Sequence, residues 1–206
     1  MLDFITINEQ SSIRIDEEKV IYSDPYNISG APHDADIILI THSHFDHYSP
    51  DDIRKVMNPG SVVVCPSSMT EPQELGLTVK QVTAGEQFEV LGVRFEAVPA
   101  YNTGKPFHPK SNGWLGYIID SPDHGRLYIA GDTDITPDNK QVKCDIALIP
   151  AGGTFTTDAV QAAELVNTIR PKYAIPIHYG TVVGSPEDGE IFRKAVDSGT
   201  EVVIKL

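Results

Sequence analysis

The chain has 206 residues, 40% of them hydrophobic and 22% charged, with a formal net charge of −13. This is apolar enough for a sizeable core and excludes a disordered chain. A surface this acidic repels phosphate backbones, which argues against nucleic acid and against an anionic membrane as partners. No apolar run reaches the roughly 20 residues of a membrane helix. The opening MLDFITINEQ lacks the basic-then-apolar pattern of a secretory signal. The expectation is a cytoplasmic protein whose residues 1–206 form one domain. Cys65 and Cys144 are expected as free thiols in a reducing compartment.

In chain order, the first strand-like runs are FITI (4–7), VIYS (20–23) and IILIT (37–41). Ser49-Pro50-Asp51-Asp52 then carries an N-cap, a proline at the first helical position and acids in the first turn. Ile53, Val56 and Met57 mark one face of the helix it opens. Further strand-like runs follow at VVVC (62–65), TVKQV (78–82), QFEV (87–90), VRFEAV (93–98), LGYIID (115–120), RLYIA (126–130) and DIALI (145–149). Thr157-Asp158 opens a second helix with Ala159, Ala163, Val166 and Ile169 on one stripe, ended by Pro171. YAIPI (173–177) reads as a strand, and Ser185-Pro186-Glu187-Asp188 repeats the first helix's start before Ile191, Phe192, Ala195 and Val196. EVVIK (201–205) closes the series. VRFEAV alternates and suits one wet face, whereas IILIT and DIALI are nearly continuous and suit strands buried on both faces. Two packed sheets with helices outside is the simplest architecture that uses all these pieces.

The chemistry lies in the histidines. Residues 41–48 read THSHFDHY, so His42, His44, Asp46 and His47 form H-x-H-x-D-H between an apolar strand and a capped helix. In extended backbone, i and i+2 point the same way, so His42 and His44 can grip one metal ion together. Asp46 and His47 lie further round the turn and can face a second. Neutral imidazole is the commonest metal ligand. Two more ligand-type residues sit at strand ends. Asp132 follows Gly131 in YIAGDTD, and His178 precedes Gly180 in AIPIHYG. If the strand ends share one rim, these side chains meet there.

The H-x-H-x-D-H motif, the Asp after a Gly at a later strand end and the late His resemble the metallo-β-lactamase superfamily of metal-dependent hydrolases. Asp24 in YSDPY matches that superfamily's early supporting Asp. The GDTD, IPAGGTF and IHYGT stretches are most similar to its compact branch related to bacterial L-ascorbate-6-phosphate lactonase. The resemblance implies an α/β fold, a four-layer αββα sandwich of two mixed β-sheets flanked by helices, with a dinuclear site on one edge. It also implies a ligand set. His42, His44 and a third His bind the first ion, Asp46, His47 and His178 bind the second, and Asp132 bridges. The usual third-His position, directly after VRFEAVPA, holds Tyr101-Asn102. His108 in KPFHPK is the substitute, with Tyr101 or water as the alternative. His33 and His124 match no motif and are read as surface residues.

All-nitrogen-and-oxygen ligands suit zinc, with manganese or iron as alternatives. Asp46 is the catalytic candidate, placed to orient the nucleophilic water or accept its proton. Two divalent ions, two carboxylates and a hydroxide leave about +1 on the site. Lys105 and Lys110 flank His108, and with Tyr101 they are candidate substrate-binding residues for a small anionic ester, lactone or phosphodiester. A solvated loop is the alternative for these lysines. Gly152-Gly153 either offers backbone N–H groups to an oxyanion or is an ordinary turn. Two other functional readings stand beside the hydrolase: a nuclease of the same superfamily, and a non-catalytic metal-binding or sensor domain.

Overall fold

The computed structural model describes residues 2–206. Its two sheets follow from how the apolar runs divide their faces. One sheet has six strands, β1 (Ile5–Ile7), β2 (Ile13–Asp16), β3 (Val20–Ser23), β4 (Ala35–Leu39), β5 (Met57–Pro66) and β6 (Thr78–Val82), in that spatial order. The first three pair antiparallel, and β3 to β6 run parallel. The other has seven: β7 (Gln87–Val90), β8 (Val93–Pro99), β9 (Leu115–Ser121), β10 (Gly125–Ile129), β11 (Ile146–Pro150), β12 (Tyr173–Ile177) and β13 (Glu201–Val202). Here β7 to β10 pair antiparallel and β10 to β13 run parallel.

Side chains alternate across each strand, so a strand covered on both faces must be apolar throughout. In β4, Ile37 and Leu39 enter the core between the sheets, while Ile38 enters the core under α1 (Pro50–Val56). In β11, Ile146 and Leu148 enter the inter-sheet core. Ala147 and Ile149 pack under α2 (Ala159–Ile169) and α3 (Asp188–Ala195). The layers are therefore helix, sheet, sheet, helix, as the αββα expectation requires.

Local signals set the helices. Ser49 Oγ accepts from the N–H of Asp52 at 3.3 Å, and Pro50 occupies the first turn of α1, where its missing N–H costs nothing. Asp158 and Gln161 form a reciprocal capping box on α2. Asp158 is thus the cap; Thr157 instead donates to the Pro150 carbonyl at 2.6 Å.

Three expectations need correction. Strand β2, IRID, was not anticipated, although Ile13 and Ile15 alternate into the core with Arg14 and Asp16 outside. The Ser185-Pro186 device does not cap α3, which begins at Asp188 after Glu187 with no side-chain cap. Ser185 instead closes a turn, its N–H donating to Asp188 and its hydroxyl to Glu187. Ile191 is consequently 42% exposed, while Phe192 is the buried anchor of that helix. The last strand stops at Val202, because β12 pairs with it only at Tyr173 and Ala174. Cys65 is buried in β5, Cys144 lies just before β11, and both are free thiols.

Candidate metal centre

Strands β8, β10 and β12 point the same way in the seven-stranded sheet, as do β3 and β4 in the six-stranded one. Loops leaving their C-terminal ends deliver Asn102 and His108, Asp132, His178, Asp24 and the 42–47 motif to one rim. Each sharp exit has a backbone cause. Gly131, before Asp132, has φ +65°, and a Cβ there would strike the Leu115 carbonyl, so only glycine fits. His178 itself takes φ +57°, and its carbonyl packs where a side chain at Gly152 would lie. The His178 N–H donates to the carbonyl of Gln10 at 3.0 Å.

Three groups of donor atoms result, each close enough to hold one ion: His42, His44 and His108; Asp46, His47 and His178; and His42, His47 and Asp132. Asp132 joins the first two. Its Oδ2 lies 3.3 Å from Nε2 of His108, 3.3 Å from Nε2 of His178 and 3.9 Å from Nε2 of His42. Its Oδ1 lies 3.4 Å from Nε2 of His47. Asp46 Oδ2 is 3.3 Å from Nε2 of His178 and 3.6 Å from Nε2 of His47. Of these seven side chains only His44 is not buried.

The far ring nitrogens of three of the histidines are anchored. Nδ1 of His47 meets Asp24 Oδ2 at 2.7 Å, Nδ1 of His42 meets Thr41 Oγ1 at 3.0 Å, and Nδ1 of His108 meets Asn102 Oδ1 at 3.0 Å. A proton held on Nδ1 leaves the Nε2 lone pair facing the cluster. Asp24 is held in turn by the N–H and hydroxyl of Thr41, at 2.8 and 2.6 Å. Thr41 escaped the sequence reading; its position directly before the motif is its only signal.

Burial, then the neighbouring imidazole of His47, pushes His42 well below the ordinary histidine range. Burial and His108 push His44 down as well. His47 goes the other way: burial opposes its charge, but Asp132 and Asp24 outweigh it and hold it well above that range. Burial also opposes ionisation of Asp132, and His178 and His47 overcome it, so this carboxyl stays well below its usual range. The centre thus gathers ionised carboxylate around a point that favours positive charge, with His42 and His44 held neutral and His47 bearing that charge. Nε2 of His47, His108 and His178 and Oδ1 of Asp132 are buried yet make no hydrogen bond. Buried polar atoms without partners are costly, and convergent imidazole and carboxylate donors without sulfur fit hard to borderline divalent cations.

The candidate substrate residues have carboxylate partners. The Tyr101 hydroxyl donates to Asp138 at 2.6 Å, and the Lys110 ammonium sits over its ring and 3.0 Å from the same carboxylate. Lys105 is paired with Asp134 at 2.8 Å and donates to the Thr156 carbonyl. Both lysines are thus ion-paired with carboxylates. The Gly153 N–H donates to the Thr157 carbonyl at 3.1 Å, which makes Gly152-Gly153 a turn. His33 is exposed with Nδ1 on the Met57 carbonyl, and His124 is exposed and stacks on Phe4.

Residues 5–178 match the family described as Beta-lactamase superfamily domain. A UPF0173 metal-dependent hydrolase of Aeropyrum pernix is 36% identical over 183 residues, covering 79% of this chain and 73% of its own. A UPF0173 metal-dependent hydrolase of Methanopyrus kandleri is 31% identical over 213 positions, covering 93% and 91%. The crystal structure of a proposed metal-dependent hydrolase from Parabacteroides distasonis superimposes with a TM-score of 0.82 at 33% identity, covering 98% of this chain and 92% of that one.

Proposed function

The chain belongs to the beta-lactamase superfamily domain family, among its UPF0173 metal-dependent hydrolases, and from that premise we propose a dinuclear hydrolase acting on a small ester, lactone or phosphodiester. The observation that carries this reading is Asp132, whose two oxygens reach histidines of both terminal groups. His42, His44 and His108 would hold one ion, Asp46, His47 and His178 the other, and Asp132 both. Zinc is the first candidate for this donor set, with manganese or iron also compatible. Ions held by these residues would lower the pKa of a bound water and polarise a substrate oxygen.

The chain's own residues then orient and transfer protons. Asp46 is held by His178 and His47 through Oδ2, which leaves Oδ1 to orient the attacking water and take its proton. The water oxygen joins the acyl or phosphoryl centre, the bond to the leaving oxygen breaks, and the proton ends on that oxygen. Thr41, Asp24 and Asn102 keep three imidazoles in the binding tautomer. The lactone, the finest member of the class, rests on the likeness of GDTD, IPAGGTF and IHYGT to the lactonase branch, since the relatives' names stop at metal-dependent hydrolase.

Elemental analysis after purification without chelator should give close to two equivalents of transition metal. The same protein should turn over model esters, lactones or bis-p-nitrophenyl phosphate, and Asp46→Asn should lose at least about a hundredfold in kcat while keeping its fold. Two bound ions without turnover of any of these would favour a non-catalytic metal domain. Activity confined to nucleic acid would favour a nuclease.

A further inference from the structure

The rim of the metal centre is aromatic and lacks an unpaired cation. Solvent reaches the set at His44, the only member that is not buried. The Trp114 ring packs beside it, its centroid 4.8, 4.9 and 5.5 Å from those of His42, His44 and His108. Phe45, between His44 and Asp46 in the chain, is 65% exposed, and Phe107, directly before His108, is 41% exposed. The His44 and His108 rings they flank are 4.9 Å apart. Neither phenylalanine is a loose ornament. Phe45 lies edge-on to Tyr26 at 6.0 Å, and Phe107 packs edge-on against Phe155 at 4.7 Å. The Phe155 carbonyl accepts from Nδ2 of Asn102, the same residue that anchors His108. A single exposed Phe is ordinary on a protein surface. Two that adjoin ligand-type residues in the chain, together with an indole packed on three of the imidazoles, give the surroundings of His44 apolar rings that a substrate group can cover.

Charge points the same way. The segments that carry the site, 24–28, 41–48, 100–110, 130–136 and 178–184, contain Lys105 and Lys110 as their only lysines and no arginine. Both are paired with Asp134 and Asp138. A phosphate or carboxylate on a substrate, away from its reacting centre, would find carboxylates here and no free cation.

We infer that the preferred substrate is an uncharged carboxylic ester or lactone bearing an apolar group of about aromatic size, seated against Trp114, Phe45 and Phe107. This rests on the hydrolase reading and narrows it, replacing the small anionic substrate expected from the two lysines with a neutral one. Burying an aromatic side group contributes roughly ten- to a hundredfold in affinity or rate.

The test compares p-nitrophenyl phenylacetate, p-nitrophenyl acetate and the anionic p-nitrophenyl hemisuccinate on the metal-loaded protein. The phenylacetyl ester should exceed both others in kcat/KM by about tenfold or more. Phe45→Ser and Phe107→Ser should each shrink the phenylacetyl-to-acetyl ratio severalfold. A hemisuccinate that matches or exceeds the phenylacetyl ester overturns the inference, as does an unchanged ratio in both variants. A second arm needs no turnover. Trp114 is the chain's one tryptophan, and its emission reports titration with benzohydroxamate, acetohydroxamate and the hydroxamate of succinate. Benzohydroxamate should bind about tenfold tighter than the other two, and equal affinities overturn the proposal. If the protein binds benzohydroxamate tightest but hydrolyses no ester, the hydrolase reading fails while the apolar rim stands.

Discussion

His47 has a carboxylate at each end of its ring. Asp24 meets Nδ1 at 2.7 Å, and Asp132 faces Nε2 at 3.4 Å. Asp24 is fully buried with φ +46°, a conformation a non-glycine residue adopts at a cost. Thr41 and His47 hold it there, so its geometry serves the imidazole. Replacing an outer partner of a metal-binding His typically costs 10–100-fold in affinity. Asp24→Ala should therefore weaken metal binding by about that factor in competition with a chelator, and an unchanged affinity would remove Asp24 from the supporting role. His108 has a separate anchor. Asn102 Oδ1 accepts from both its backbone N–H and Nδ1, each at 3.0 Å. His108→Ala removes a donor from one group of three only, so about one equivalent of metal should remain at limiting concentration. Retention of both ions would show that another group completes that position.

At the scale of elements, α1 is tied to the loop after β3 by Asp52, with Lys55 Nζ also on the Ile28 carbonyl at 3.1 Å. Asp52 accepts from the N–H groups of Asn27 and Ile28 at 3.1 and 3.0 Å, from Ser49 Oγ at 2.8 Å and from Lys55 Nζ at 2.7 Å. Burial opposes its charge, but Lys55, Ser49 and the two N–H groups outweigh it, so the carboxyl lies below its ordinary value. Asp52→Ala should cost about 2–3 kcal/mol, since it strands buried donors, measured by urea unfolding at pH 7. The sign of the pH effect follows from the depressed folded value. The contribution is complete above the unfolded pKa of about 4 and is lost as pH falls through the lower folded one. The gap between parent and variant should thus narrow in acid, and a gap that widens below pH 4 would contradict the ion pair.

The whole molecule places six buried ligand-type side chains and one partly exposed one between two sheet edges. Bound ions stabilise the native state by mass action, about 2.7 kcal/mol per site at a hundred times the dissociation constant. For a chain of this length that is about 5–10 °C in Tm per ion. Removing the metal with a chelator should lower the thermal midpoint by that much, and a midpoint that stays fixed while elemental analysis shows the metal gone would argue that the cluster has another use. The core itself is carried by strands buried on both faces. Leu148→Ala, in the centre of the inter-sheet core, should cost about 2–5 kcal/mol.

The amino-acid sequence by itself determined what is written in short windows. IILIT and DIALI announce strands covered on both sides because alternate residues must enter two different cores, and Ser49-Pro50 announces α1 because a cap needs only its own turn. The motif at 42–47 is legible for the same reason: its ligand-type residues share one loop. Even IRID carries a period of two, muted because two of its four residues are charged. Only the tertiary structure decided how distant loops meet. That His108 reaches His42 and Asp132 depends on Asn102 folding the 102–108 loop back on itself, with the Asn102 N–H on the His108 carbonyl at 2.8 Å. That Lys105 and Lys110 answer to Asp134 and Asp138 depends on β8 and β10, on either side of β9, ending at the same sheet edge. Strand order brings these residues together, and strand order is set by the packing of whole sheets, which no local pattern of residues encodes.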